Sequence, residues 1–158
     1  MPDKSSEAIG IIGSGPIGQG LATLWAQAGY MVQLGARSPE SARRVSVPPS
    51  VRVVSFEEAA RHKVAVLAVK HSVAEDVVGP LAPLLKGAMV VDVMNAAGIR
   101  EGQIVSTLPE GRTEGQWMAE MLPDSVVPRL LPYSGGVARV ASRQVSRSLG
   151  GRICHRCA

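Results

Sequence analysis

The segment GSGPIG at residues 13–18 has the glycine spacing of a site that can hold a diphosphate. Gly13 permits a tight turn, Gly15 lets the backbone approach a ligand, and Gly18 allows a helix to pack close to the preceding strand. The free amides at the start of that helix would face the two phosphate charges. A glycine-rich turn without a ligand is the alternative, but the apolar strand before the segment and the amphipathic helix after it favour a dinucleotide site.

The residues after the second predicted strand indicate which dinucleotide would bind. A NAD-binding site usually places Asp or Glu about 20 residues beyond the glycines, where it holds the ribose hydroxyls. No acid occurs between Tyr30 and Pro39, and Arg37 stands there instead. A guanidinium can form charge-assisted hydrogen bonds with a 2′-phosphate, so the sequence favours NADP over NAD. The alternative is that Arg37 is a solvated charge and that Ser38 only caps the next helix.

Further ligand contacts are expected where the fourth and fifth predicted strands end, because ligands of open α/β sheets bind beyond the carboxyl ends of the strands. These positions are Val69, Lys70 and His71, and Met94, Asn95 and Ala96. Lys70 or His71 could contact a phosphate or donate a proton, although such residues more often only begin a helix. The predicted cofactor-binding residues are therefore Gly13, Ser14, Gly15, Pro16, Ile17, Gly18, Arg37, Ser38, Val69, Lys70, Asn95 and Ala96.

A CxxC pattern at Cys154 and Cys157 encloses His155 and could suggest metal or redox chemistry. It offers too few ligands for a structural metal site, and a redox CxxC requires a helix amino terminus that this position does not supply. We therefore expect incidental, solvated thiols and no metal site.

Short apolar segments alternate with amphipathic ones from Ala8 to about Val127, which predicts repeated strand and helix units. Most apolar segments are rich in Val and apolar at consecutive positions, as expected when helices cover both faces of a sheet. The predicted fold class is α/β, a doubly wound parallel sheet of the Rossmann type. Strands are expected at Ala8 to Ile12, Met31 to Leu34, Val51 to Val54, Val64 to Val69 and Ala88 to Val93, with a weaker one at Ser125 to Val127.

Helix starts are marked by side chains that can satisfy free backbone amides. Capping boxes are expected at Ser55 with Glu58, Ser72 with Glu75 and Thr113 with Gln116, and Pro39 after Ser38 suits the first position of a helix. The first helix is expected to end at Gly29 and to bury one apolar face against the sheet, made of Ile17, Leu21, Leu24, Trp25 and Ala28.

Length and composition bound the remaining possibilities. With 158 residues, 46% of them apolar and 19% charged, the chain suits one globular domain. No apolar run approaches the ~20 residues that cross a bilayer and no secretory signal is recognised, so we expect a cytoplasmic protein without a membrane partner. The net charge of +4 arises from residues 129–158, which contain arginines but no lysine or acid. We therefore expect no basic face for nucleic acid on the domain.

Several of these segments together are similar to one family. They are residues 11–18 (IIGSGPIG), 34–40 (LGARSPE), 66–69 (VLAV), 90–95 (VVDVMN) and 114–123 (EGQWMAEMLP) with 126–127 (VV). Over residues 8 to about 127 the chain resembles the deazaflavin (coenzyme F420)-dependent NADP reductases. The resemblance implies a Rossmann domain that binds NADP(H), with residues 13–18 on the diphosphate and Arg37 on the 2′-phosphate. Ala36 and Lys70 depart from the family, which often has Ser and Pro there; Ser38 could supply the missing hydroxyl.

From Pro128 onward the chain departs from that family and becomes rich in Arg, Ser and Gly. A degenerate back-translation with one nucleotide dropped at Pro128 allows the run Arg-Ala-Phe-Ser-His, which fits the family at this point. We therefore predict a Rossmann domain at residues 1–127 and an atypical, frameshifted end at residues 128–158. A genuine disordered basic tail is the alternative.

The predicted function is an NADP(H)-dependent oxidoreductase that passes hydride between the nicotinamide and a planar small-molecule acceptor, with a deazaflavin as the co-substrate that the resemblance implies. Such a transfer requires two stacked rings rather than an acid or a base, so no catalytic residue is predicted. One alternative is an NADP-binding module without turnover, either a truncated remnant or a sensor. Another is a pyrroline-carboxylate-type imine reductase, which normally needs a helical dimerisation domain. A homo-oligomer is compatible with the sequence.

Overall fold

The computed structural model describes residues 7–108 and 111–128, which form an α/β fold around a parallel sheet. Its strands are β1 (Ile9–Ile12), β2 (Val32–Gly35), β3 (Val51–Val54), β4 (Val64–Leu67) and β5 (Met89–Asp92). They lie in the order β3-β2-β1-β4-β5, and each pairs in parallel with its neighbours. The helices are α1 (Pro16–Gln27), α2 (Pro39–Arg43), α3 (Phe56–Ala59), α4 (Ala74–Leu85) and α5 (Glu114–Met121). The predicted doubly wound fold is confirmed.

The strands match the predicted segments apart from small shifts at their ends. The largest shift is in β4, which ends at Leu67 rather than at Val69. The amide of Ala68 still donates to the carbonyl of Ile12 at 2.8 Å, after which the chain leaves the sheet. Val69 and Lys70 therefore stand beyond the carboxyl end of β4.

The weak strand predicted at Ser125 to Val127 is present as a short extension of the sheet. Val126 forms a parallel bridge with Met89, and its carbonyl accepts from the amide of Val90 at 2.8 Å. The carbonyl of Pro128 accepts from the amide of Asp92 at 3.1 Å, so pairing along β5 continues to the last described residue. The predicted frameshifted end, apart from Pro128, and the CxxC lie outside the described residues.

Helices cover both faces of the sheet, which explains why the strands are apolar at consecutive positions. Ile11 and Ile12 are both fully buried, and they belong to two different core clusters on opposite faces. The cluster around Ile11 includes Ala22 of α1, whereas the cluster around Ile12 includes Val78 of α4 and Met118 of α5.

The predicted buried face of α1 is partly wrong. Ile17 is 50% exposed, Leu24 is 60% exposed and Ala28 is also exposed, whereas the buried positions of the helix are Gly18 and Ala22. The physical reason is close packing: a Cβ on Gly18 would lie 1.8 Å from the Gly13 carbonyl oxygen, so the line of contact admits only small side chains. The end at Gly29 is confirmed, since that residue has a φ of 88°.

The capping box predicted at Ser72 is wrong, because the chain first forms a short 3₁₀ helix at His71–Val73. The amide of Val73 donates to the Lys70 carbonyl at 3.1 Å, and α4 begins only at Ala74, without a side-chain cap. The boxes of Ser55 with Glu58 and Thr113 with Gln116 are confirmed. The start at Pro39 is confirmed too, and Ser38 forms a capping box there with Ser41.

A β-hairpin that the sequence analysis did not predict follows β5. It consists of β6 (Ala97–Arg100) and β7 (Gln103–Ser106), which pair antiparallel. Glu101 and Gly102 have φ angles of 51° and 77°, as both central residues of a type I′ turn require. Within residues 7–108 and 111–128, no helix is long and apolar enough to cross a membrane.

Candidate functional site

The carboxyl ends of the central strands open on a cleft of about 1010 Å³. Its floor comes from the turn after β1, and its walls come from the segments that follow β2, β4 and β5. Open α/β sheets bind ligands at this place, where the order of the strands reverses. The lining residues are Gly13, Ser14, Gly15, Pro16, Ile17, Arg37, Ser41, Phe56, Ala68, Val69, Lys70, His71, Ser72, Val73, Val77, Val93, Met94, Asn95, Ala97 and Thr107.

The three glycines of residues 13–18 have different structural roles. Gly13 has a φ of 124°, and a Cβ there would lie 2.4 Å from the Ala68 carbonyl oxygen. A Cβ on Gly18 would clash with the carbonyl oxygen of Gly13, as described above. A Cβ on Gly15 would instead meet no described atom within 4 Å. Gly13 and Gly18 are therefore required by the fold, while Gly15 leaves open space at the cleft.

The start of α1 faces this space with its backbone. Gly15 is the N-cap residue and Pro16 occupies the first turn, so among the described residues no side chain caps the helix. The first turn also contains no acidic residue. Uncapped amides and the helix dipole together favour an anion at this point.

The side chain of Gln19 holds the turn from behind, and the sequence analysis did not single it out. Its Nε2 donates to the Ser14 carbonyl at 2.8 Å, and its Oε1 accepts from the Ser46 amide at 2.9 Å. The second bond joins residues 27 positions apart in the chain, so only the folded structure could reveal it.

Arg37 follows β2, is exposed, and lines the cleft. It forms no ion pair with any residue that the structure describes. Ser38 is not a lining residue, and its hydroxyl accepts from the Ser41 amide at 3.2 Å as the cap of α2. Ser41, which the sequence analysis missed, lines the cleft instead. The cap matches the alternative considered for Ser38, and a cofactor contact by Ser38 stays a prediction.

The segments after β4 and β5 bring Val69, Lys70 and Asn95 to the cleft. Ala96 is buried outside the lining, and its carbonyl accepts from the amide of Thr107 at 2.9 Å. The position of Asn95 depends on Asp92, which is 1% exposed and accepts from the Met94 amide at 2.8 Å. This bond stabilises the turn by which the chain leaves the sheet, and the sequence analysis did not predict it.

His71 also lines the cleft and packs its ring against Trp117 of α5, with the ring centroids 4.9 Å apart. Its Nε2 is buried without a hydrogen-bond partner among the described residues. The same holds for His62, which lies outside the cleft lining, and burial lowers the pKa of His62 below 6.5. His71 is therefore the one of these two histidines placed to contact a ligand.

The charge of the cleft has one sign. Arg37 and Lys70 line it, and no Asp or Glu occurs among the described lining residues. Because β1 lies between β2 and β4, the two cations stand on opposite sides of the glycine turn. The described ranges contain no group of three His, Cys, Asp or Glu that could hold a metal ion. The arrangement suits an elongated ligand with more than one anionic group.

Solved structures of other proteins have the same fold. A candidate F420-dependent NADP reductase from Arthrobacter superimposes with a TM-score of 0.66 at 21% identity, over 80% of this chain and 60% of that chain. A hypothetical protein from Sinorhizobium meliloti has a TM-score of 0.62 at 26% identity, over 78% and 59% of the two chains. The imine reductase of Bacillus cereus gives 0.57 at 21% identity, over 77% and 39%. The chain thus spans less than two thirds of the length of each of these proteins.

The sequence itself carries the family assignment. The pattern of the family described as NADP oxidoreductase, coenzyme F420-dependent, matches residues 8–96, which is more than half of the chain. The match includes the glycine turn, Arg37 and the segments that end β4 and β5. The resemblance identified from the sequence is confirmed, and the chain belongs to the coenzyme F420-dependent NADP oxidoreductase family.

Proposed function

We propose that this chain binds NADP(H) in the cleft and holds the nicotinamide for hydride transfer to a planar acceptor such as a deazaflavin. One observation carries the proposal. The open space at Gly15 lies between two cations, Arg37 and Lys70, in a cleft whose described lining has no carboxylate. A carboxylate after β2 would repel a 2′-phosphate, whereas Arg37 attracts it.

The residues present fit the dinucleotide. The volume of about 1010 Å³ lies at the upper end of ordinary ligand pockets, which span about 300–1,000 Å³, as a large ligand requires. The backbone of residues 13–18 would hold the diphosphate at the start of α1, and Arg37 would hold the 2′-phosphate. Lys70 would add a second charge beside the diphosphate. Val69, Asn95 and Ala96 belong to the segments expected on the nicotinamide side.

The chemistry proposed for the site needs little from the side chains. Bound NADPH would supply a hydride, with its two electrons, to the ring of the acceptor. The protein's own residues would bind the phosphates, orient the nicotinamide and exclude water, because hydride transfer depends on the distance and alignment of two rings. We therefore assign no catalytic residue.

A binding module without turnover is the second candidate, and one observation favours it. The chain spans 60% of the Arthrobacter structure and 39% of the imine reductase, so much of each relative has no counterpart among the matched residues. A cytoplasmic location and a homo-oligomer remain predictions.

Two measurements test the proposed function. Titrations of the purified chain with NADPH and with NADH, monitored by fluorescence, should show that NADPH binds more tightly. Absorbance should then show hydride transfer between NADPH and a deazaflavin. Tight NADPH binding without turnover would favour the binding module, and no binding of either dinucleotide would reject both candidates.

A further inference from the structure

We propose that Gln19 is a positioning residue that aims the Gly15 amide at the diphosphate and ties the glycine turn to the segment after α2. This inference rests on the proposed function, because it assigns a role in the same site. Gln19 lies in α1, one residue beyond the last glycine of GSGPIG, and is not among the residues that line the cleft. It would therefore act through the backbone that it holds.

The amide group of Gln19 can satisfy its two partners in only one orientation. The Ser14 carbonyl can only accept, so it requires the Nε2 donor, which lies 2.8 Å away. The Ser46 amide can only donate, so it requires the Oε1 acceptor, which lies 2.9 Å away. Exchanging the oxygen and nitrogen of the side chain would break both bonds. The two contacts together therefore fix the side chain.

The bond to Ser14 controls the direction of a neighbouring amide. The Ser14 carbonyl and the Gly15 N–H belong to one planar peptide unit and point in opposite directions. The hydrogen bond from Gln19 to the Ser14 carbonyl therefore also fixes the direction of the Gly15 N–H. Gly15 lines the cleft, and a Cβ on it would meet open space among the described atoms. The fixed N–H is a preorganised donor for a phosphate oxygen.

The bond to Ser46 reaches a segment that does not line the cleft. Ser46 lies in the connection between α2 and β3, which follows Arg37 and Ser41 in the chain. Gln19 thus bridges the turn proposed for the diphosphate and the connection after α2, two segments that are far apart in the chain. Without the bridge, the glycine turn must be ordered by the ligand itself, which weakens the binding of ligands that contain the diphosphate.

The test replaces Gln19 with Met, which keeps the length of the side chain and removes both polar atoms. Gln27→Met is the matched control, because Gln27 lies two turns later in α1 and makes no side-chain hydrogen bond to the described residues. Three ligands are titrated below the unfolding temperature of every variant: NADPH, NADH and adenosine 2′-monophosphate. The last ligand keeps the 2′-phosphate but lacks the diphosphate.

Gln19→Met is expected to weaken NADPH and NADH alike, each about fivefold, which is the size of one net hydrogen bond. Binding of adenosine 2′-monophosphate should be unchanged, and Gln27→Met should bind all three ligands as the unmodified chain does. Unchanged affinity for both dinucleotides would overturn the proposal. So would an equal loss for adenosine 2′-monophosphate, because that result indicates general damage rather than a displaced turn.

Amide hydrogen exchange without ligand gives an independent test. The Ser46 amide donates to the Gln19 side chain and should exchange faster in Gln19→Met than in Gln27→Met. Unchanged exchange at Ser46 overturns the bridge, even if the unmodified chain binds no dinucleotide. Absence of dinucleotide binding would by contrast reject the proposed function, so the two failures are distinguishable.

Discussion

Replacing Arg37 with Ala should weaken NADPH binding about tenfold and leave NADH binding nearly unchanged. Arg37 lies at the cleft beyond the end of β2, is exposed, and has no ion-pair partner in the described part of the chain. The substitution therefore removes a charge without leaving a buried group unpaired. The variant should unfold at the same temperature as the unmodified chain.

The expected tenfold loss of NADPH affinity follows from the exposure of the Arg37 guanidinium. A hydrogen bond to a charged group contributes about 1.5–3 kcal/mol. Because Arg37 is exposed, water and salt screen its attraction to a phosphate, and the lower end of that range applies. A difference of about 1.4 kcal/mol corresponds to a tenfold change in the dissociation constant.

The assay is a fluorescence titration of each variant with NADPH and with NADH at low ionic strength. Arg43→Ala is the matched control, because Arg43 is an exposed arginine of α2 that does not line the cleft. Raising the salt to about 0.5 M should narrow the gap between the unmodified chain and Arg37→Ala. Equal losses for NADPH and NADH, or an equal loss in Arg43→Ala, would refute the assignment of the 2′-phosphate to Arg37.

Three further predictions follow from the glycine turn, Lys70 and His62. Gly15→Ala should fold normally but bind NADPH more weakly, because its methyl group fills the open space at the cleft. Gly18→Ala should unfold at a lower temperature, because its Cβ would lie 1.8 Å from the Gly13 carbonyl oxygen. Thermal unfolding and NADPH titration separate the two effects, and a Gly18→Ala variant as stable as the unmodified chain would contradict the packing. Lys70→Gln should weaken the binding of NADPH and of NADH severalfold and to the same extent, because both dinucleotides contain the diphosphate. A loss of affinity for NADPH alone would place Lys70 at the 2′-phosphate instead. The free energy of unfolding should fall as the pH drops below 6.5, because burial lowers the pKa of His62 and the unfolded chain takes up the proton first. Urea unfolding at about pH 8 and about pH 5.5 measures this slope, which His62→Gln should flatten if His62 is its source.

Close packing limited what hydrophobic periodicity could predict about α1. Periodicity placed Ile17 and Leu24 on the buried face, but the helix touches the sheet along Gly18 and Ala22. Periodicity weighs large apolar residues, whereas closest approach of a helix to a strand selects the smallest ones. The glycine pattern, which specified the role of Gly18, was the better guide to this contact.

Hydrogen bonds between distant segments account for two features near the site that the sequence analysis missed. Gln19 bonds to Ser46, and Thr107 bonds to Ala96 across the base of a hairpin. Neither pair has a spacing that a local pattern could detect. Ser72 illustrates the opposite error, since its spacing to Glu75 fits a capping box, yet the chain forms a 3₁₀ helix there before α4 begins.

The amino-acid sequence was sufficient to predict the sheet, the glycine turn and the positions of Arg37 and Lys70 after their strands. These features follow from local chemistry: consecutive apolar residues form strands covered on both faces, and glycine alone fits the turn at Gly13. Only the folded structure shows which side chains meet around the cleft, including the bridge from Gln19 and the packing of His71 on Trp117. Such contacts depend on how separate segments approach one another, and that geometry is fixed only when the whole core packs.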